Sequence, residues 1–139
     1  MATFTAANPD FGTDLSCTSD LDPNAAEVNG TLGLAQALYR RLITARGGLI
    51  DDPTYGFDVA SMLDDAMTNR QIAVIASMID SEMRKDQRVL TSKTSGTWTP
   101  GAGNAGKYVA TSLITSAFGP FSLVISVSSV TTTLLAPTR

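Results

Sequence analysis

The sequence predicts an α+β fold: an extended N-terminal arm, two main helices and a short one, then a C-terminal antiparallel β-meander. Three observations predict it. Apolar residues recur every three or four positions between residues 29 and 83, the spacing of one helix face. Beyond Arg88, threonine, serine and valine take over and the pattern turns to alternation, which suits strands. Glycine and proline breaks cut that second half into short neighbouring runs, which pair as a meander more simply than through helical crossovers. At 139 residues the chain is one domain, read as residues 29–139 with residues 1–28 as the arm.

Along the arm, Asn8-Pro9, Gly12, Asp20 and Asp22-Pro23-Asn24 punctuate a loop-like stretch. Leu15 to Thr18 is a short strand candidate, and the arm is expected to lie on the domain or on a partner. The first helix is expected from Asn29 or Thr31, either of which can cap it, to Arg46. Leu32, Ala35, Tyr39 and Leu42 make its apolar face, widened by Leu38 and Ile43. Arg40, Arg41 and Arg46 suit the negative end of the helix dipole, and Gly47-Gly48 ends it. Asp51-Asp52-Pro53-Thr54-Tyr55-Gly56 reads as a tight turn, and Phe57 to Leu63 as a short helix capped by Asp58. The second long helix opens at Thr68, with Gln71 in capping-box spacing. Ile72, Ile75, Ala76, Ile79 and Met83 form its stripe, and Val74 and Met78 widen it toward burial on more than one side.

Val89 to Trp98 and Lys107 to Ala117 are strand candidates joined by the glycine-rich Pro100 to Gly106. After Gly119-Pro120, Phe121, Leu123, Ile125 and Val127 alternate with Ser122, Val124, Ser126 and Ser128 in a half-buried third strand, which a tail through Leu135 extends.

Composition excludes several functions. The apolar share is 43% and the net charge is -3, so no basic field favours nucleic acid. The longest apolar-rich run, near Phe118 to Val127, is too short to span a bilayer as a helix. Cys17 is the single cysteine, so no intrachain disulfide forms, and a reducing cytoplasm is the simplest site of synthesis. Histidine is absent, which removes Ser-His-Asp and Cys-His nucleophiles and imidazole metal sites.

The remaining chemical motifs read more simply as structure. Gly101-Ala102-Gly103-Asn104-Ala105-Gly106 fits a dinucleotide pattern, but Tyr108 to Ile114 beyond it reads as strand and not helix, so a hairpin loop is preferred. Asp20-Leu21-Asp22-Pro23-Asn24 opens like a calcium loop, yet Ala25 and Thr31 stand where glycine and a bidentate glutamate belong. Asn29-Gly30-Thr31 is a sequon better explained by capping. Asp51 and Asp52 diverge as adjacent acids in a turn. Cys17 is read as a small apolar filler, and Trp98 as a strand or interface anchor. No cofactor or metal is called for.

Six signatures in order carry more: Phe11-Gly12-Thr13-Asp14-Leu15, Asp20-Leu21-Asp22-Pro23, Ala35 through Thr44, Arg46-Gly47, Asp52 through Asp58, and Lys85-Asp86-Gln87-Arg88-Val89. Together they resemble the baseplate assembly protein W family of contractile phage tails and related injection systems, over about residues 11 to 90. The resemblance implies a structural, non-enzymatic wedge subunit and sheath initiator, six copies per baseplate, located in the virion's tail baseplate after assembly in the host cytoplasm. It implies larger wedge proteins, the tail sheath protein and hub or tube proteins as partners, with neither nucleic acid nor membrane. Tyr55, Gly56, Asp86 and Arg88 stand as the family's core motif. Where the family commonly has Glu-Pro-Arg, this chain has Asp86-Gln87-Arg88, so an Asp86–Arg88 ion network with looser geometry is expected. Ala45 stands where a proline often follows the threonine.

Arg40 and Arg41 are candidate contacts to wedge partners. The uncharged run from Phe121 to Val130, with Phe121, Leu123, Val124, Ile125 and Val127, is the candidate sheath-docking strand, read as an open edge awaiting a partner strand. The alternative is a lysozyme-like peptidoglycan hydrolase of the baseplate, since members of this family have been described as lysozyme-like; clearing of purified peptidoglycan separates the two.

Overall fold

The computed structural model describes residues 12–18, 20–64, 66–102, 106–117 and 119–128, and the backbone of 132–138. The chain is α+β, with helices first and an antiparallel sheet afterwards. Strands β1 (Thr13–Leu15) and β2 (Glu27–Asn29) form a small antiparallel hairpin. Helix α1 (Gly30–Ile43), a 3₁₀ turn (Val59–Met62) and helix α2 (Asn69–Met83) come next. The sheet then runs in chain order through β3 (Val89–Thr99), β4 (Lys107–Ser116), β5 (Gly119–Ser128) and β6 (Thr132–Thr138), every pair antiparallel.

Alternation decides the core. Tyr108, Ala110 and Ile114 on β4, and Phe121, Leu123, Ile125 and Val127 on β5, point to one face of the sheet. Against it pack Leu34, Leu38 and Leu42 of α1 and Ile75, Ile79 and Met83 of α2. The residues between them, Thr111, Val124 and Ser126 among others, form an outer face that stays partly exposed.

Several expectations are corrected. The first strand is Thr13–Leu15 and not Leu15 to Thr18; Cys17 makes only an isolated bridge with Leu21. Helix α1 ends at Ile43 and not Arg46, because the Arg41 carbonyl that would continue it accepts the Phe57 N–H at 2.9 Å instead. Leu32 is exposed, and Leu34, Ala35, Leu38, Tyr39 and Leu42 make the buried face. Neither Asn29 nor Asp58 caps with its side chain. Val74 and Met78 face outward, so α2 buries one side only. Thr68 and Gln71 do close a capping box, with the Gln71 N–H on Thr68 Oγ1 at 3.2 Å and the Thr68 N–H on Gln71 Oε1 at 2.8 Å.

The C-terminal tail does not prolong the third strand but turns back as β6, which pairs with β5 from Ser122↔Thr138 to Val127↔Thr132. Strand β5 therefore lies between β4 and β6 and is not an edge, contrary to its reading as a docking strand. Phe121, Leu123, Ile125 and Val127 are spent on the core, and Val124 lies on the outer face. The end of the expected run, Val130, lies outside the described residues, as do Phe11 and the rest of residues 1–11.

Candidate functional site

The arm is tied down by α1. Gln36 accepts the Cys17 N–H at 3.0 Å and donates to Ser16 Oγ at 3.3 Å. Arg40 reaches the Cys17 carbonyl and pairs with Asp14 at 2.9 Å. Asp20 and Asp22, the candidate calcium ligands, each accept a nearby backbone N–H, from Leu21 and Asn24, as turn-formers do.

A buried carboxylate braces the far ends of α1 and α2. Glu82 is 1% exposed and meets three cations: Lys85 at 2.8 Å, Arg46 at 3.2 Å and Arg41 at 3.3 Å. The Gly56 N–H donates to the same carboxylate at 2.9 Å, and the Gly56 carbonyl accepts from Arg46 Nε. Gly56 sits at φ +96 with Thr44 so close that a Cβ would collide with the Thr44 carbonyl oxygen, so glycine is required there. Lys85 also donates to the Thr54 carbonyl, and the Arg41 guanidinium lies 4.4 Å from the centre of the Tyr55 ring. Burial alone would raise the Glu82 pKa, but the Lys85 and Gly56 hydrogen bonds and the surrounding cations outweigh it and hold the carboxyl below its ordinary range.

Next to this brace, Asp86 accepts from Arg88 through Nε at 2.9 Å and Nη2 at 2.7 Å, and from the Arg88 N–H at 3.0 Å. Burial opposes ionisation of Asp86, yet these bonds keep its pKa lowered and push that of Arg88 up. The pair closes the turn between α2 and β3. A glycosidase acid needs the opposite, a carboxyl held protonated by its surroundings. Gly56 thus bonds to Glu82 directly and Tyr55 lies against Arg41 of the same brace, Asp86 and Arg88 meet each other, and the guanidinium groups of Arg40 and Arg41 find partners within the chain.

The edge of the sheet lies elsewhere, on β3. Asp80 of α2 accepts from Thr94 N–H at 3.1 Å, Thr94 Oγ1 at 2.6 Å and Ser92 Oγ at 2.7 Å, while Arg84 donates to the Ser92 carbonyl at 2.9 Å. Backbone groups of Ser92 and Thr94 therefore point away from β4. Because the hydrogen-bonding direction alternates along an antiparallel strand, those of Gly96 and Trp98 point the same way, and among the described residues no hydrogen-bond partner meets them there.

Between this open stretch and α2 runs a groove of about 530 Å³. One stripe of α2, Asn69, Ile72, Ala73, Ala76, Ser77 and Asp80, makes one wall, and Lys93 to Gly96 the other. The groove is closed at the Asp80 end. Gly96 has no room for a Cβ because the Tyr108 ring covers it, and Trp98 likewise covers Gly106. Tyr108 donates to the Ile72 carbonyl at 3.2 Å, which fixes α2 to the sheet beneath the groove; burial and the Asp80 charge push its pKa up to about 12.

The other margin of the sheet, β6, differs. Pro137 has no N–H and stands opposite Leu123, so that edge lacks one donor. Sequence reasoning missed the β3 edge, Asp80 and the Glu82 brace. A signal existed for Glu82: it falls on the Ile75–Ile79–Met83 stripe, near a helix C-terminus where an acid is unfavourable unless paired. Comparison with protein-family models, with curated proteins and with solved structures finds no match to the chain.

Proposed function

We propose that this chain is a structural wedge subunit of a contractile-tail baseplate, or of a related injection system, on which the sheath begins to assemble by adding a strand to the free edge of β3. The observation that carries the reading is the open stretch at Gly96 and Trp98, facing a groove beside α2. Unpaired N–H and C=O groups along an edge recruit an extended segment through main-chain hydrogen bonds, and a helix alongside selects its side chains. The groove is held open in advance by the Asp80, Arg84 and Tyr108 contacts, so a partner strand loses little to reorganisation on binding.

The six ordered signatures supply the choice of a tail over other assemblies. In this reading the larger wedge proteins hold the subunit, six copies surround the tail axis, and Arg40, a quarter exposed beside the arm, remains able to meet them. No step of the function requires catalysis or a cofactor.

The test is capture of the cognate sheath protein by the full chain and by Ser77→Phe, which fills the groove from an exposed α2 position. Capture by the natural chain and loss in the variant supports the reading. Capture by both removes the β3 edge as the docking site, and capture by neither removes the sheath-initiator role. A truncation after Gly119 is unsuitable, because it deletes β5 and with it much of the sheet's buried face.

A further inference from the structure

We infer that the strand accepted along β3 alternates short apolar residues, facing α2, with carboxylates on the outer face of the sheet. This rests on the docking reading above and adds the chemistry of the partner. The inward preference comes from the groove wall, where Ala73, Ala76 and Ser77 leave room for small side chains beside Ile72.

The outward preference comes from charge. All thirteen acids lie in residues 1–86 with six of the ten Lys and Arg, which leaves that half at -7; residues 87–139 hold the other four cations and no acid. On the outer face of β3, Lys93, Ser95, Thr97 and Thr99 are exposed. Lys93 stands across from Leu113 on β4, and Lys107 across from Thr99 and Ser128. Among the described residues Lys93 has no ion-pair partner, and its own sheet offers no carboxylate. Asp80 and Arg84 already occupy the edge at Ser92 and Thr94, so an added strand pairs from Gly96 onward. Its residue across from Ser95 lies diagonal to Lys93, within reach of that long side chain, where an opposite charge is favoured and a like charge is not. A second copy pairing through the same edge would bring its own Lys93 and an acid-free strand, so a separate acidic strand is the better occupant.

Trp98, the single tryptophan, lies on this edge and reports occupancy by its emission. The experiment titrates the full chain with two synthetic octapeptides, one alternating valine with glutamate and one alternating valine with lysine. The glutamate peptide should bind at least ~10-fold more tightly at low salt, with the preference fading as ionic strength approaches ~1 M. Lys93→Glu, at an exposed position, should reverse the preference while leaving the circular dichroism unchanged. Equal binding of both peptides, still lost in Ser77→Phe, overturns the charge inference and leaves the groove reading intact. If neither peptide binds while sheath protein is captured in a Ser77-dependent way, this inference alone fails. Binding that ignores Ser77→Phe overturns the inference and the docking site together.

Discussion

The two halves of the molecule satisfy their buried polar groups in different ways. Among the described residues the buried polar side chains of the helical half are Gln36, Glu82 and Asp86; Glu82 is held by Arg41, Arg46 and Lys85, and Asp86 by Arg88 of the same turn. In the sheet half they are Ser92, Ser112 and Ser116, neutral hydroxyls that cost less to bury. The helical half therefore uses charge to fix the turn at Thr54 to Gly56 and the one at Asp86 to Arg88. The sheet depends on shape, with Tyr108 over Gly96 and Trp98 over Gly106. Asp80 joins the two, reaching from α2 to the β3 backbone. A sheet whose own residues include no carboxylate leaves Lys93 without an ion-pair partner among the described residues, on the outer face beside its free edge.

The largest effect on the charge-held half is expected from Glu82→Ala. It leaves Arg41, Arg46 and Lys85 facing one another and the Gly56 N–H unsatisfied, and should lower stability by about 3–5 kcal/mol in urea denaturation. An effect under about 1 kcal/mol would show that the brace is not what holds the loop. Gly96→Ala tests the sheet by shape alone. The added methyl must displace the Tyr108 ring, and a loss of about 1–3 kcal/mol is expected, unchanged by salt.

Acid should separate the two halves further. Glu82 and Asp86 have lowered folded-state pKa values, so their contribution is complete above the ordinary carboxylate pKa of about 4 and is lost as pH falls through the lowered folded values. Asp86→Asn should flatten the acid limb of the stability curve. The sheet's own residues include no carboxylate. Thr68→Ala removes one side of the capping box and should cost about 1 kcal/mol by thermal melting. Smallest is Lys93→Glu, expected within about 0.5 kcal/mol of the natural chain, so any binding effect it has is not one of folding.

Much of the fold was legible. The capping box at Thr68 needs only residues three apart, and the alternation from Phe121 to Val127 needs only its own period, so both were readable without tertiary information. The Asp86–Arg88 pair lies two residues apart in sequence, and the geometry that closes it is that of one turn. The candidate site was less legible. Arg41 and Glu82 are separated by 41 residues, and Gly56 and Glu82 by 26, so nothing local links them. Leu32 and Leu34 are equally apolar, and which of them α1 buries depends on how the helix is rotated against the sheet.

The order of the main helices and of β3 to β5, their antiparallel meander and the one capped helix start were all present in the linear chain, because each arises from short-range periodicity and backbone chemistry. Tertiary structure alone decided that β5 is an inner strand and β3 the open edge, because an edge is defined by which neighbour is missing. It also decided that Glu82 is a brace, since a buried charge is held by cations and a backbone N–H brought to it from distant parts of the chain.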